Sequence, residues 1–208
     1  MSQVGLHTPE HGGHAGPVVR EIDDKRGTFA VALLIATEAT IFLMLFISYY
    51  YLEKGGERWK VEEPPKLHYA LPMLAILLAS SVVLHWGEKQ VKKKKYRGGR
   101  LGLIGTLALG IAFLVMTYFE YAEGLLHVTP RTDAYGSIFY TIITLHAAHV
   151  MLGILMLLWV LFIPRWEPAQ RMPHRPYHNV GLYWHFVDTV WIFVVAILYI
   201  GPNIYNAL

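Results

Sequence analysis

The chain has 208 residues, of which 54% are hydrophobic and only 16% are charged, with a formal net charge of +3. Soluble domains carry about 25% charged residues, and the shortfall here falls in a few long apolar runs, which indicates a membrane protein. The chain contains no cysteine, so disulfides, thiolate metal sites and cysteine nucleophiles are excluded. The positive charges lie in short loops, where membrane topology explains them better than nucleic-acid binding does.

Five apolar runs are each close to the roughly 20 residues that a helix needs to cross a bilayer. In chain order they are Phe29–Leu52, Tyr69–Gly87, Leu101–Leu125, Gly136–Ile163 and Val180–Ile200. The connections between them are short and contain proline and glycine, which leaves no room for a soluble domain. The sequence therefore predicts an all-α integral membrane bundle of five transmembrane helices over residues 28–208. Residues 1–27 are predicted to form a disordered or extramembrane N-terminal tail.

The lysines and arginines are distributed unevenly between the two sides of this bundle. Thirteen of the eighteen lie in the N-terminal tail and in the connections after the second and fourth runs, which share one side. Cytoplasmic loops carry the excess of positive charge in membrane proteins. We therefore predict a cytoplasmic N-terminus and a C-terminus outside.

Ionisable residues inside the spans carry most of the remaining information, because a charge at mid-membrane costs roughly 2.5–3.5 kcal/mol on insertion scales. Glu38 lies about ten residues into the first run, near the middle of a ~30 Å core. His149, on the fourth run, lies within about 6 Å of the same depth at 1.5 Å per residue. We predict that Glu38 is buried against His149, with His146 as the second choice. Glu120 lies near the outer end of the third run.

The fifth run contains His185 and Asp188 three residues apart, so both can share one helical face. Trp184, Asp188 and Trp191 follow an i, i+4, i+7 stripe that places the carboxylate on an aromatic face. Such a residue can serve as a packing contact between helices or in proton transfer, and the two interpretations are compatible.

Three chemistries could use these residues: haem ligation by histidines, proton relay, and structural pairing with lipid or neighbouring subunits. His146 and His149 alone are weak evidence for a metal site, which needs further ligands at a matching depth. The sequence has no nucleophile elbow and no phosphate-binding loop, so we predict no catalytic and no metal-binding residue. Arg165 and Trp166, just beyond the fourth run, are candidates for binding a phospholipid headgroup, and the alternative is a topology arginine that reaches the interface.

Several segments resemble subunit III of the haem–copper respiratory oxidases, in its shorter five-helix form. The most specific is Tyr183–Trp191, which reads YWHFVDTVW. The others are Thr37–Ala39, Glu120–Glu123, Tyr135–Tyr140 and the His146–Val150 segment HAAHV, in the same order as in the family. Thr144 and Ala147 stand where the family usually has glycines around the histidines. The commoner seven-helix form has two additional N-terminal helices.

The resemblance implies an accessory subunit of a cytochrome c or quinol oxidase, without a redox centre of its own. Haem and copper would reside in subunits I and II, which are the implied partners together with a small fourth subunit and phospholipid. The chain would support proton uptake into subunit I, with Glu38, His146, His149, His185, Asp188 and Glu120 as the candidate residues. A bacterial cytoplasmic membrane is the expected location. The alternatives are an accessory subunit of a related nitric oxide reductase and a stand-alone b-type cytochrome.

Overall fold

A computed structural model describes residues 17–55, 67–124, 134–162 and 174–205, and within these ranges all regular structure is helical. The helices are α1 (Pro17–Lys54), α2 (Leu67–Lys92), α3 (Tyr96–Gly124), α4 (Ala134–Phe162) and α5 (His174–Val194). α5 continues into a π-helical segment, Val195–Ile200, and a short α6, Gly201–Tyr205. Within the part of the chain that the structure describes, five helical stretches are long and apolar enough to cross a membrane, the last of them running from His174 to Ile204. The prediction of an all-α bundle of five spans is therefore confirmed.

The helices are longer than the apolar runs that predicted them. α1 begins at Pro17 instead of Phe29, and α2 continues to Lys92, five residues past the predicted end. Hydropathy marks only the part of a helix that lies in hydrocarbon, whereas the backbone hydrogen bonds continue into the polar region. The orientation of the bundle in the membrane stays a prediction, as does the boundary at residue 27 between the N-terminal tail and the transmembrane domain. Residues 1–16 lie outside the described residues.

α2 and α3 form a tight hairpin at the lysine-rich end of the bundle, which is the end that contains residues 89–100. Lys94 has a φ of 59°, and the Lys95 N–H donates to the carbonyl of Gln90 at 2.9 Å, which ends α2. Further along the hairpin Gly87 faces Gly102, and a Cβ added to Gly102 would lie 2.6 Å from the Gly87 Cα. Small residues of this kind let two membrane helices approach closely.

α5 is the most central helix and packs against α1, α2 and α4, while α3 packs against α2 and α4. The fully buried indole of Trp184 holds these layers together. A Cβ at Gly110 on α3 would lie 2.7 Å from Trp184 Cη2, and one at Gly153 on α4 would lie 2.9 Å from its Cε3. The two glycines therefore form a slot for the tryptophan ring, and its Nε1 donates to Ser80 on α2 at 2.8 Å.

α1 lies at the edge of the bundle against α4 and α5. Its outward face is apolar, and Phe29, Met44 and Tyr51 are 65%, 55% and 77% exposed. An apolar face of this kind suits lipid or a neighbouring membrane subunit.

Candidate functional site

The first polar site joins α1 to α4. Glu38 Oε2 lies 2.8 Å from Nε2 of His149, and the two side chains are 23% and 9% exposed. The Nδ1 atom of His149 lies 2.7 Å from the carbonyl oxygen of Leu145. A carbonyl can only accept, so Nδ1 carries a hydrogen. The other ring nitrogen can then donate to a carboxylate or accept from a carboxylic acid, and the pair can hold its proton on either side.

Phe42 closes this site on the bundle side. It follows Glu38 by one helical turn, and its ring centroid lies 5.1 Å from that of His149 in an edge-on arrangement. Phe42 is 2% exposed, so the pair has an apolar wall. A low local dielectric strengthens the interaction between a carboxylate and an imidazolium.

His146, the other candidate partner of Glu38, lies elsewhere. Its ring is 1% exposed and stacks on Trp191, with centroids 4.8 Å apart and an interplanar angle of 28°. Phe113 packs edge-on against the same ring at 5.7 Å. Neither ring nitrogen has a hydrogen-bond partner among the described residues. His146 is therefore a core residue in an aromatic cluster and does not pair with Glu38, although its ring lies 6.3 Å from that of Phe42, which also contacts His149.

The second polar site joins α2 to α5. The hydroxyl of Ser81 lies 2.7 Å from Nδ1 of His185 and donates to Oδ2 of Asp188. Asp188 is 4% exposed, and its Oδ1 atom has no hydrogen-bond partner among the described residues. The structure thus brings His185 and Asp188 together through a serine. Sequence reasoning missed Ser81, whose only signal is that it forms a polar pair with Ser80 within an apolar helix.

A third cluster at the lysine-rich end was also missed. Glu88 on α2 is 8% exposed, and its Oε1 lies 2.9 Å from Lys92 Nζ and 3.0 Å from Nδ1 of His178. Nε2 of His174 lies 3.6 Å from the same oxygen. The available signal was the i, i+4 spacing of each pair, Glu88 with Lys92 and His174 with His178, at helix ends that face each other.

Glu120 lies apart from the other candidates, toward the C-terminal end of α3. Its Oε1 accepts a hydrogen bond from Tyr199 of the π-helical segment at 2.7 Å. One turn further along, Glu123 accepts from Tyr69 of α2 at 2.7 Å. Both carboxyl groups therefore bond to phenols on neighbouring helices.

The remaining candidates concern lipid and metal. Arg165 and Trp166 lie outside the described residues, so their role in lipid binding stays a prediction. Among the described residues, no group of three or more His, Asp or Glu side chains is arranged to hold a metal ion.

Comparison with known proteins supports the resemblance over nearly the whole chain. The family model for cytochrome c oxidase subunit III matches residues 9–202. A cytochrome c oxidase subunit 3 from Synechocystis is 34% identical over 194 residues, which is 91% of this chain and 79% of the relative. One from Thermostichus vulcanus is 33% identical, covering 81% of this chain and 84% of the relative. A probable subunit 3 from Mycobacterium leprae is 29% identical, with coverages of 79% and 83%.

These matches give no support to the nitric oxide reductase and b-type cytochrome alternatives, because the family model and all three relatives carry the oxidase name. The five apolar helices agree with that assignment. The chain is an integral membrane protein that belongs to the cytochrome c oxidase subunit III family.

Proposed function

We propose that this chain is the accessory, non-redox subunit of a terminal haem–copper oxidase in a bacterial cytoplasmic membrane. In this proposal it assembles with the catalytic subunits I and II, which hold the haem and copper, and with a small fourth subunit. It supports proton uptake and protects the complex during turnover. The observation that carries the proposal is the Glu38–His149 pair, a carboxylate and an imidazole bonded between α1 and α4 within the membrane.

The pair has properties that suit support of proton uptake. One group is a carboxyl and the other an imidazole, and the 2.8 Å contact between them allows a proton to lie on either one. The 23% exposure of Glu38 leaves it open toward the outer surface of the bundle, where another subunit can face it. Among the described residues, neither group belongs to a cluster of three or more side chains that could hold a metal ion. The pair can therefore store or steer protons beside a catalytic subunit without taking part in electron transfer.

Lipid binding is the second part of the proposal. The exposed apolar face of α1 offers a surface for acyl chains, and Arg165 beside Trp166 would bind the phosphate at headgroup level. Native mass spectrometry of the complex tests this part. Arg165→Ala should lose retained phospholipid, whereas Arg97→Ala, at an exposed position in α3, should not. Equal retention in both variants would contradict a specific site.

Removal of the subunit tests the main proposal. The depleted complex should keep its haem spectrum and begin turnover at close to the normal rate, because the chain supplies no redox centre. It should then inactivate after fewer turnovers, and proton uptake should slow most at high pH, where protons in solution are scarce. Adding the wild-type chain back should restore the lifetime. Immediate loss of haem absorbance on removal would contradict the proposal, because it would mean that this chain holds a redox centre.

A further inference from the structure

A row of polar side chains runs between α2 and α5 from the lysine-rich end toward the middle of the bundle. The α2–α5 seam, as we define it, comprises Ser81, His85, Glu88, His178, His185 and Asp188. Its α2 members are spaced i, i+4, i+7 and its α5 members i, i+7, i+10, so each set lies along one face of its helix. The contacts of Glu88 with His178 and of Ser81 with His185 hold the two helices in antiparallel register.

The two contacts lie about 10 Å apart along the helix axes, because seven residues separate them on each helix. His85 lies between the contacts, on the α2 face that the seam uses, and is exposed.

We propose that the α2–α5 seam takes up protons at the lysine-rich face and delivers them to Asp188, which holds an exchangeable proton inside the bundle. The inference rests on the proposed support of proton uptake and adds a route to it. This route is separate from the Glu38–His149 pair, which joins other helices.

The atoms around Ser81 are arranged for a proton shift. Ser81 has one hydroxyl hydrogen and donates it to Asp188, so the hydrogen between Ser81 and His185 must come from Nδ1 of the histidine. When His185 carries both ring hydrogens, its Nδ1–H bond can break as the hydroxyl oxygen takes that hydrogen. In the same motion the serine releases its original hydrogen to Oδ2 of Asp188. An imidazolium and a carboxylate become a neutral imidazole and a carboxylic acid, the hydroxyl is intact, and the net charge is zero before and after.

Asp188 is suited to be the terminus. It is 4% exposed, and its Oδ1 has no hydrogen-bond partner among the described residues. A buried carboxylate with an unpaired oxygen is costly, and a proton removes the charge. The other elements packed against α5 offer it no described cation. On α4, His146 stacks on Trp191 one turn further along, and Glu38 on α1 is engaged by His149.

The two ends of the seam differ in their contact with water. Glu88 is joined to Lys92, which is exposed, and to the half-buried His178, whereas Asp188 is buried. In this proposal protons enter at Glu88 and His178 and reach Asp188 through His185 and Ser81. Arg175 and His174 are further ionisable groups at this end of α5.

Infrared difference spectroscopy on the assembled oxidase complex in lipid vesicles tests the route. A rapid drop in pH on the lysine-rich face should produce the infrared carbonyl band of a protonated carboxylic acid. The Asp188→Asn variant should lack that band. Ser81→Ala removes the relay hydroxyl and keeps Asp188, so the band should appear more slowly, on the order of 10²-fold. Ser80→Ala is the matched control, because Ser80 is the adjacent serine and bonds to Trp184 instead. It should leave the rate unchanged.

Three results would contradict the proposed proton route. They are the absence of any carbonyl band that depends on Asp188, an unchanged rate of band formation in Ser81→Ala, or a faster response when the pH is changed on the opposite face. The number of turnovers before inactivation, measured on the same preparations, separates this inference from the proposed function. If Asp188 does not exchange protons and the depleted complex still inactivates early, the seam is wrong and the proposed function stands. If depletion leaves the lifetime unchanged, the proposed function is wrong, and with it the role of the seam in uptake.

Discussion

The carboxyl groups of Glu38 and Glu120 both lie within membrane-spanning helices and differ in their partners. Each bonds across to another helix at nearly the same distance, 2.8 Å from His149 and 2.7 Å from Tyr199. An imidazole gains and loses its proton near neutral pH, whereas a phenol keeps its proton there. The partner therefore decides what a membrane carboxyl group can do. Glu38 has a partner for proton exchange, and Glu120 has one that fixes the position of the π-helical segment.

The largest expected effect comes from leaving Glu38 without its partner. His149→Leu should lower the free energy of unfolding by about 3 kcal/mol, because breaking a buried pair leaves an uncompensated carboxyl group. His146→Leu is the matched control on the same helix, and it should cost less because its ring nitrogens have no described partner. Thermal unfolding of the purified complex in detergent measures both. An equal loss in the two variants would show that packing, and not pairing, sets the stability of this region.

The second prediction separates the two carboxyl groups by function. Glu38→Gln should reduce the number of turnovers before inactivation by about tenfold, because an amide cannot exchange a proton with His149. Glu120→Gln keeps an acceptor for the Tyr199 hydroxyl and should leave the lifetime close to that of the wild type. Oxygen consumption followed to inactivation gives both values at matched levels of assembly. A shorter lifetime in Glu120→Gln than in Glu38→Gln would reverse the comparison.

The smallest expected effect concerns the outer contacts. Tyr199→Phe removes one hydrogen bond to Glu120 and should lower the free energy of unfolding by about 1 kcal/mol. Tyr69→Phe, which removes the bond to Glu123, should cost a similar amount. Proton uptake should be unchanged in both, as measured with a pH-indicating dye outside vesicles. A clear slowing of uptake in Tyr199→Phe would mean that the Glu120 contact also takes part in proton transfer.

The sequence predicted the parts of the fold that follow from hydropathy and depth. The apolar runs gave five spans, and counting residues from the ends of two runs placed Glu38 near His149. The π-helical segment at Val195–Ile200 could not be predicted, because its residues are as apolar as those of the α-helix before it. The predicted helix ends were also wrong, since α1 begins at Pro17, well before the start of the apolar run at Phe29.

The polar contacts of the seam were beyond sequence reasoning for a different reason. Ser81 is too small and too weakly polar to stand out in an apolar helix, yet it links His185 to Asp188. Glu88 and His178 lie ninety positions apart in the chain, and only the antiparallel register of α2 and α5 brings them together. Counting residues from the helix ends predicts which residues lie at the same depth in the membrane. It does not predict which faces of the helices contact each other.

The slot that holds Trp184 has a consequence for engineering this protein. The ring packs against backbone at Gly110 on α3 and Gly153 on α4 and bonds to Ser80 on α2, so it fixes the position of α5 relative to these three helices. Ser81 and His185 each adjoin a residue of that contact in the chain. We therefore expect single substitutions at Ser81 or His185 to change the polar contacts there while Trp184 keeps α5 in register.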